Sequence, residues 1–226
     1  ASRYHGLEVH ALRRFSGGLL FEASYTFSKA LGDTEGAPQD SRNKRLDWGL
    51  TDLDRTHMFT FNYIYELPFF KDGRGPVGAV LGGWQLSGIT TFQSGLPFTV
   101  GISGDRAQAG GGAQRPDLVG RPRDGRGQSL SRYFNTAAFA LAPLGRFGNS
   151  PPLNVRGPGI NNWDLSLYKN IRMREGLKMQ IGAGFFNAFN HSQFEGVGGN
   201  LGAATFGVVT STRDSRILQF RAKLSY

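Results

Sequence analysis

The feature that most constrains this chain is a two-residue alternation of apolar and polar side chains along unusually long segments. From Phe21 to Phe27 every second residue is apolar, and the residues between them, Glu22, Ser24 and Thr26, are polar. The same alternation runs from Leu218 to Tyr226 at the end of the sequence. This period is typical of a β-strand with one apolar face and one wet face. The sequence therefore predicts long strands with two chemically different faces.

Seven segments share the alternation, each about 10 to 13 residues long: Tyr4–Phe15, Leu19–Lys29, Thr56–Pro68, Gly83–Ser94, Asn162–Ile171, Leu177–Phe189 and Ile217–Tyr226. Strands of soluble proteins usually have about 5 or 6 residues. A tilted strand needs about 9 to 11 residues to cross a bilayer. The polar faces are rich in Ser, Thr, Asn, Gln and Glu, which suit water better than a second packed sheet. We therefore expect an all-β fold, an antiparallel transmembrane β-barrel with apolar residues toward lipid and polar residues toward a lumen.

The connections between these segments alternate between short and long. Short turns are predicted at Ser16–Gly18 and Arg172–Gly176, and a connection of intermediate length at Phe69–Gly82. The long connections are Ala30–Asp54, Ser103–Asn161 and Asn190–Ser215. Short periplasmic turns and long extracellular loops are typical of outer-membrane barrels.

The longest connection contains a polar, glycine-rich stretch from Gly104 to Leu130, which we expect to be mobile. The RYFNTAAF segment that follows it is expected to form a short strand or strap. A structureless loop of this length is unusual in a compact domain, and it indicates a binding or gating role.

The formal net charge of +9 does not by itself indicate a nucleic-acid partner, because the Lys and Arg residues are scattered along the sequence. Strand ends and solvated loops explain most of them. Contact with phosphate groups of a membrane surface is the alternative. The chain has no cysteine, which excludes disulfides, Cys-ligated zinc and a thiol nucleophile. No apolar run approaches the roughly 18 residues of a membrane helix.

The candidate motifs for catalysis and cofactor binding do not indicate an active site. GRGPVG, Gly73–Gly78, matches a dinucleotide-binding pattern by letter, but Pro76 lies within it and we predict a turn. The four histidines lack the spacing of metal ligands. The DLDRTH stretch, Asp52–His57, is either an ion site or a capped, hydrogen-bonded loop end, and the second is favoured. We therefore expect no catalytic residue, no cofactor and no metal, and hence no enzyme.

Polar residues of the predicted strands are the candidates for lining a lumen. Two carboxylates at a suitable distance would be needed for glycoside hydrolysis, and the polarity of a lumen already explains the acidic residues here. The lumen-facing candidates are Glu8, His10, Glu22, Ser24, Asn62, Glu66, Gln85 and Gln93.

Several stretches together resemble one family. They are YHGLEVHALRRFSGGLLFEASYTFSKA, DRTHMFTFNYIYELPF, GWQLSGITTFQSGLPFTV, RGPGINNWDLSLYKNI, GAGFFNAFNHSQF and TFGVVTSTRDSRILQFRAKLSY. In this order they resemble the C-terminal barrel strands of TonB-dependent outer-membrane receptors, in particular the Oar-like group with its carboxypeptidase-regulatory-like domain. The resemblance covers nearly all of the chain except the loop at Gly104–Leu130. It implies a 22-stranded barrel in the bacterial outer membrane, an N-terminal plug, and uptake driven by an inner-membrane energy-coupling complex.

The chain departs from that pattern because it shows no plug, no TonB-contacting box, no regulatory-like domain and no signal peptide. We therefore expect residues 1–226 to be the C-terminal part of a longer barrel, coupled to the energy complex through a missing N-terminal region. In the family the last strand is read by the barrel assembly machinery, which implies a sorting signal at Phe220, Leu224 and Tyr226. The alternative is a strand that happens to end on Tyr226.

Seven crossings are an odd number, whereas bacterial single-chain barrels have even counts. We therefore predict an open, curved sheet of seven strands in meander order. The leading function is the barrel part of an energy-coupled importer in outer-membrane lipid, whose long loops capture an unidentified extracellular ligand. A structural or adhesive barrel without transport is the alternative, and a soluble carbohydrate-binding β-sandwich is a third. The sequence that precedes Ala1 would distinguish the importer from the adhesive barrel, because a plug and an energy-coupling box favour transport. A need for detergent would distinguish both from a soluble β-sandwich.

Overall fold

The structure is a computed structural model that describes residues 1–33, 38–70, 75–123, 125, 128–174 and 176–226. Seven long strands form a single antiparallel sheet, called the wall below. They are β1 (Ser2–Ser16), β2 (Leu19–Asp33), β3 (His57–Glu66), β4 (Trp84–Gln93), β5 (Ile160–Arg174), β6 (Leu177–Phe186) and β7 (Ile217–Ser225).

The strands of the wall follow one another in chain order from β1 to β7. A short strand, Trp48–Leu50, adds to the loop end of β2, which continues to Asp33 and so runs past the predicted loop start at Ala30. Among the described residues, β1 pairs with β2 alone and β7 with β6 alone. The predicted open meander is confirmed.

The pairing register places most of the apolar residues of the seven strands on one side, called the apolar face. Directly paired residues share a face in an antiparallel sheet, so a row of partners can be followed from strand to strand. One such row, from β2 to β7, is Phe21, Tyr63, Gly88, Leu165, Phe185 and Leu218. The neighbouring row, one residue along, is Leu20, Ile64, Ser87, Ser166, Gly184 and Gln219 on the polar face.

Aromatic rings of the apolar face contact one another across the strands. The ring centroids of Phe59 and Phe92 are 6.0 Å apart, and those of Phe92 and Trp163 are 5.7 Å apart. Tyr63 covers Gly88, where an added Cβ would lie 2.6 Å from the Tyr63 hydroxyl. Aromatic cross-strand pairs of this kind stabilise a sheet by packing.

Short and long connections lie at opposite ends of the wall, called the turn end and the loop end. At the turn end, Gly17 and Gly18 join β1 to β2 with φ of 62° and 86°, which glycine adopts without strain. Gly176, with φ of 84°, follows the other short connection. The predicted alternation of short and long connections is confirmed by this arrangement.

The connection from β3 to β4 contains a short helix, α1 (Gly75–Leu81). The predicted turn at Gly73–Gly78 is therefore wrong from Gly75 onward, while Gly73 itself lies outside the described residues. Pro76 stands in the first turn, where its missing N–H has no helical partner to lose. Gly83, with φ of 71°, follows the end of the helix. No helix in the described residues is long and apolar enough to cross a membrane.

Lys169 of β5 contacts the C-terminal end of α1. Its side chain is 6% exposed, and its ammonium group donates hydrogen bonds to the carbonyls of Val80, at 3.1 Å, and Gly82. The indole N–H of Trp84 donates to the same Val80 carbonyl at 3.1 Å. These carbonyls lack partners within the helix, so the helix end that Lys169 caps explains a buried lysine on the apolar face.

At the loop end, the described residues of 38–56, 94–159 and 187–216 fold together into a second structure, called the cap. Its hydrophobic core consists of Val100, Tyr133, Phe134, Ala138, Phe139 and Val155, with Phe98 and Phe206 packed against it. The expectation of a structureless connection is therefore wrong. The residues that the two-residue period leaves unexplained bury their apolar side chains against one another.

The cap is built from short elements. Two 3₁₀ helices span Lys44–Asp47 and Thr136–Ala138. Its strand pairs are Pro97–Phe98 with Val155–Arg156, Gly101–Ile102 with Asn200–Leu201, Asp117–Leu118 with Phe139–Ala140, and Phe194–Val197 with Val209–Thr212. The short strand predicted for RYFNTAAF is wrong for most of that segment, because Thr136–Ala138 forms a 3₁₀ helix and only the last residue, Phe139, enters a strand.

The glycine-rich stretch after Gly104 is ordered around one carboxylate. Asp105 accepts hydrogen bonds from the backbone N–H groups of Ala109, Gly110 and Gly111 at 3.0, 2.8 and 3.1 Å. The side-chain amide of Gln114 donates to it at 2.6 Å. Together these bonds lower the pKa of Asp105, with the Ala109 bond contributing most. This part of the loop therefore has a defined set of hydrogen bonds, and its mobility stays a prediction.

Two contacts join the parts of the cap to each other and to the wall. Arg115 and Asp47 form a buried ion pair at 2.8 Å, which links two loops that are far apart in sequence. At the end of β4, a Cβ added to Gly95 would lie 1.9 Å from the carbonyl oxygen of Gly157. Only glycine at position 95 permits the two backbones to approach this closely.

Candidate functional site

All eight predicted lumen residues lie on the polar face of the wall. Glu8 pairs with Thr26, and His10 with Ser24. The remaining pairings of the set are Glu22 with Asn62, Glu66 with Gln85, and Gln93 with Met58. They are spread over four strands rather than gathered in one pocket. Their exposure to a lumen stays a prediction.

One hydrogen bond links two of these candidates. His10 and Glu22 lie 3.0 Å apart, on side chains that are about half exposed. An exposed pair of this kind contributes little to stability. The polar face therefore offers a hydrophilic surface, and the structure gives it no catalytic arrangement among the described residues.

The residues of the predicted assembly signal are highly exposed. Phe220 is 78% and Leu224 is 61% exposed, and both lie on the apolar face of β7. Tyr226 lies one residue beyond the end of that strand. Their accessibility suits a signal read by another protein, and that role stays a prediction.

The loop end at Asp52–His57 is held by hydrogen bonds, as the favoured interpretation expected. Asp54 is 1% exposed and accepts a hydrogen bond from the backbone N–H of Ala30 at 2.7 Å. Arg156 donates to its other carboxylate oxygen at 2.6 Å. Within the described ranges, no three His, Cys, Asp or Glu side chains are grouped to hold a metal ion.

A cavity of about 540 Å³ lies between the cap and the loop end of β4 and β5, and it is called the arginine pocket. Four arginines are among its lining residues, together with the polar side chains of Gln128, Tyr133 and Asn135. Its charged lining residues are Arg121, Arg123, Arg132 and Arg156.

Arg156 forms the structural base of the pocket. In addition to its bond with the Asp54 carboxylate, its guanidinium donates to the backbone carbonyls of Asp54 and Gly95, at 2.8 and 3.2 Å. It also donates to the Thr56 hydroxyl at 3.0 Å. The buried Asp54 carboxylate balances its charge. Arg156 therefore joins the segment that precedes β3 to the segment that follows β4.

Asn135 holds two other arginines in place. Its amide N–H donates to the carbonyl oxygen of Arg121 at 3.1 Å, and its amide oxygen lies 3.5 Å from the guanidinium of Arg132. The neighbouring Tyr133 and Phe134 are buried in the cap core. The segment that carries Arg132 is therefore anchored by the same core that orders the cap.

The charged side chains among the described lining residues of the pocket are all basic. Burial raises the pKa of Tyr133, while a hydrogen bond from Gln128 and the charge of Arg123 act in the opposite direction. Neither Arg121 nor Arg123 has an acidic partner among the described residues. Burial, and then the charge of Arg213, lower the pKa of Arg55, which donates to the carbonyl of the pocket residue Ser94.

A family model described as an outer membrane beta barrel domain matches residues 1–219.

The chain belongs to this outer membrane beta barrel family.

Neither the curated proteins nor the solved structures give a match to it. Membership of the outer membrane beta barrel family places the chain in the bacterial outer membrane, as the sequence predicted. It also agrees with the all-β, antiparallel fold. The finer resemblance to TonB-dependent receptors of the Oar-like group stays a hypothesis.

For this outer membrane beta barrel, sequence reasoning missed the arginine pocket. The scattered positive charge was interpreted as solvated strand ends and loops, although Arg121, Arg123 and Arg132 fall within twelve residues. That local density of arginine was the available signal. Arg156 and the glycines of the pocket floor come from a distant part of the same loop, so the pocket itself depends on the folding of the cap.

Proposed function

We propose that the protein is an outer-membrane receptor and transporter that captures an extracellular ligand with its cap and admits it to a polar lumen. The observation that carries this proposal is the cap itself, which is a folded structure with its own core and an arginine-lined cavity. Loops that served only to connect strands would not need a buried ion pair such as that of Arg115 and Asp47.

The resemblance to TonB-dependent receptors supplies the remaining parts of the proposal. Uptake would be driven by the inner-membrane energy-coupling complex through an N-terminal plug, and insertion would use the barrel assembly machinery. The polar face of the wall would line the path of the ligand once the plug moves. No chemical step is part of this mechanism.

A structural or adhesive role is the second candidate. Exposed apolar side chains on the surface of the cap favour it, because such groups often mark contacts with a partner or a surface. They are Val119, Leu130, Leu141 and Leu144, which are 51 to 70% exposed. The β-sandwich alternative does not describe the fold, because the long strands form one sheet rather than two packed sheets.

The test compares wild-type cells, a deletion strain, and the deletion strain complemented with the gene. Mass spectrometry of the spent medium would follow which compounds each culture removes, with and without a protonophore. Transport predicts a compound that remains in the medium of both the deletion strain and the protonophore-treated wild type. Unchanged depletion, together with weaker attachment of the deletion strain to surfaces, would instead support adhesion.

A further inference from the structure

We infer that the arginine pocket binds a ligand bearing several oxyanion groups, carboxylates or phosphates, on a small polar body. This inference rests on the proposed function, because it names the chemical class of ligand that the cap would capture. The argument has three parts: the unbalanced charge of the pocket, the way its arginines are held, and the kind of surface that its walls present.

The first part is charge. Arg156 is balanced by Asp54, but Arg121 and Arg123 have no acidic partner in the part of the chain that the structure describes. Both are exposed at the pocket. A planar guanidinium presents paired N–H donors that match the two oxygens of a carboxylate or phosphate. The free hydrogen-bonding capacity of the pocket is therefore of the kind that recognises oxyanions.

The second part is preorganisation. Asn135 holds the Arg121 backbone and contacts the Arg132 guanidinium, while its neighbours Tyr133 and Phe134 are anchored in the cap core. A backbone segment that is fixed before binding loses less conformational entropy when a ligand arrives, although the side chains of Arg121 and Arg123 stay exposed. The floor includes Gly95, Gly157 and Gly159, so no side chain from these positions occupies the cavity. The site is therefore both open and organised.

The third part is the absence of an aromatic platform in the described lining. The aromatic residues of the lining are Tyr133 and Phe134, and they are only 7% and 6% exposed. The rings of Phe98, Phe139 and Phe206 pack against Phe134. The described lining therefore has no exposed ring on which a neutral sugar or a nucleobase could stack. Charge and hydrogen bonding remain as the means of recognition.

The experiment uses the full-length protein purified from outer membranes in detergent, and isothermal titration with two probes, citrate and inorganic pyrophosphate. Maltotriose is the neutral comparison. The double variant Arg121→Ala/Arg123→Ala should weaken binding of the anionic probes about ten- to a hundredfold, as expected for lost charge-assisted hydrogen bonds. The matched control is Arg42→Ala/Arg45→Ala, which removes the same charge from exposed positions that do not line the pocket. It should bind like the wild type.

The source of the anion is tested by repeating the titration in vesicles with and without lipopolysaccharide. If lipopolysaccharide blocks the soluble probes in the wild type, and the double variant binds lipopolysaccharide vesicles more weakly than the control variant does, the oxyanion belongs to a lipid headgroup. If it does not block them, the ligand is soluble. Equal loss of binding in the control variant would reduce the effect to net charge and overturn the inference.

The inference and the proposed function fail in different ways. Binding of neither anionic probe, in a protein that still supports energy-dependent uptake, would overturn the ligand class and leave transport standing. Specific binding without any energy-dependent uptake would support the pocket and overturn transport. Binding of maltotriose with the affinity of the anions would also overturn the ligand class.

Discussion

The wall and the cap bury their apolar side chains in opposite directions. In the wall, most apolar residues share one face, and Leu7, Phe220 and Leu224 on it are 59 to 78% exposed. In the cap, Val100 and Ala138 are fully buried, and rings surround Phe134. One chain therefore removes apolar side chains from water in two ways. In the cap they are covered by other protein side chains, whereas in the wall of an outer-membrane barrel they are covered by lipid.

This difference shows which environment each region needs. Apolar surface is stabilised wherever water is removed from it, so the cap should keep its fold in water and the wall should not. The open edges of β1 and β7 also need hydrogen-bond partners, since unpaired backbone groups in a bilayer cost several kcal/mol each. Changes confined to one region should therefore have consequences that depend on the solvent.

The largest expected effect is in the cap core. Phe134→Ala should destabilise the cap by about 3–5 kcal/mol, because it removes the ring on which three other rings pack. Hydrogen exchange at the amide of Tyr133, which donates to the Gly207 carbonyl, would measure the loss. Leu144→Ala, at a side chain that is 70% exposed, is the control. Equal loss of protection in the middle of β4 would show that cap and wall are not separate.

The next effect separates the two faces of the wall. Leu165 lies near its middle on the apolar face, and the adjacent Ser166 lies on the polar face. Leu165→Arg should cost about 2–4 kcal/mol on folding into lipid vesicles, because a charge would face the hydrocarbon. Ser166→Arg should cost much less. If both variants fold equally well, the apolar face is not the lipid face.

A smaller effect is expected at the turn end, where Lys169 caps α1. Lys169→Met should weaken the attachment of the helix by about 1.5–3 kcal/mol, because hydrogen bonds from a charged donor to two carbonyls are lost. The readout is exchange of the Gly82 amide, which donates to the Gly78 carbonyl at 2.9 Å. Lys29→Met, at an exposed position, is the control. Unchanged exchange would mean that Trp84 alone holds the helix.

The smallest effect is a local dependence on pH in the cap. Because hydrogen bonds lower the pKa of Asp105 below its usual 3.8, its carboxylate stabilises the folded loop above that pH. The stabilisation is lost as the pH falls through the lowered pKa. Amide exchange at Gly110 and Gly111, corrected for the intrinsic rate, should therefore rise in acid. Asp105→Asn should remove the dependence, and a dependence that survives in this variant would assign it to another group.

The wall was predictable from sequence, whereas the cap was not, and the reason is periodicity. A strand repeats its faces every two residues, so local pattern alone assigns Phe61 and Asn62 to opposite sides. The cap has no repeating pattern, because Val100, Phe134 and Val155 meet only through long-range folding. The arginine pocket depends on the same contacts.

The helix α1 falls between these cases. Val77, Val80 and Leu81 have the spacing i, i+3 and i+4, and Gly82 and Gly83 follow as a stop signal. The glycines and Pro76 favoured a turn, and a helix of only two turns is too short to show a clear helical period in the sequence. The charge of Lys169, which helps to hold the helix, is too far away in sequence to be associated with it.

The close approach of Gly95 and Gly157 at the base of the cap, called the glycine seam, has a consequence for how such a barrel protein can diversify. A side chain at Gly95 would collide with the backbone of Gly157, so this junction tolerates little substitution. Arg121 and Arg123 belong to neither the cap core nor the wall, and their replacement should leave both intact. Selection could therefore change what the protein recognises through a few exposed loop positions. The seam would keep every new surface mounted on the same frame.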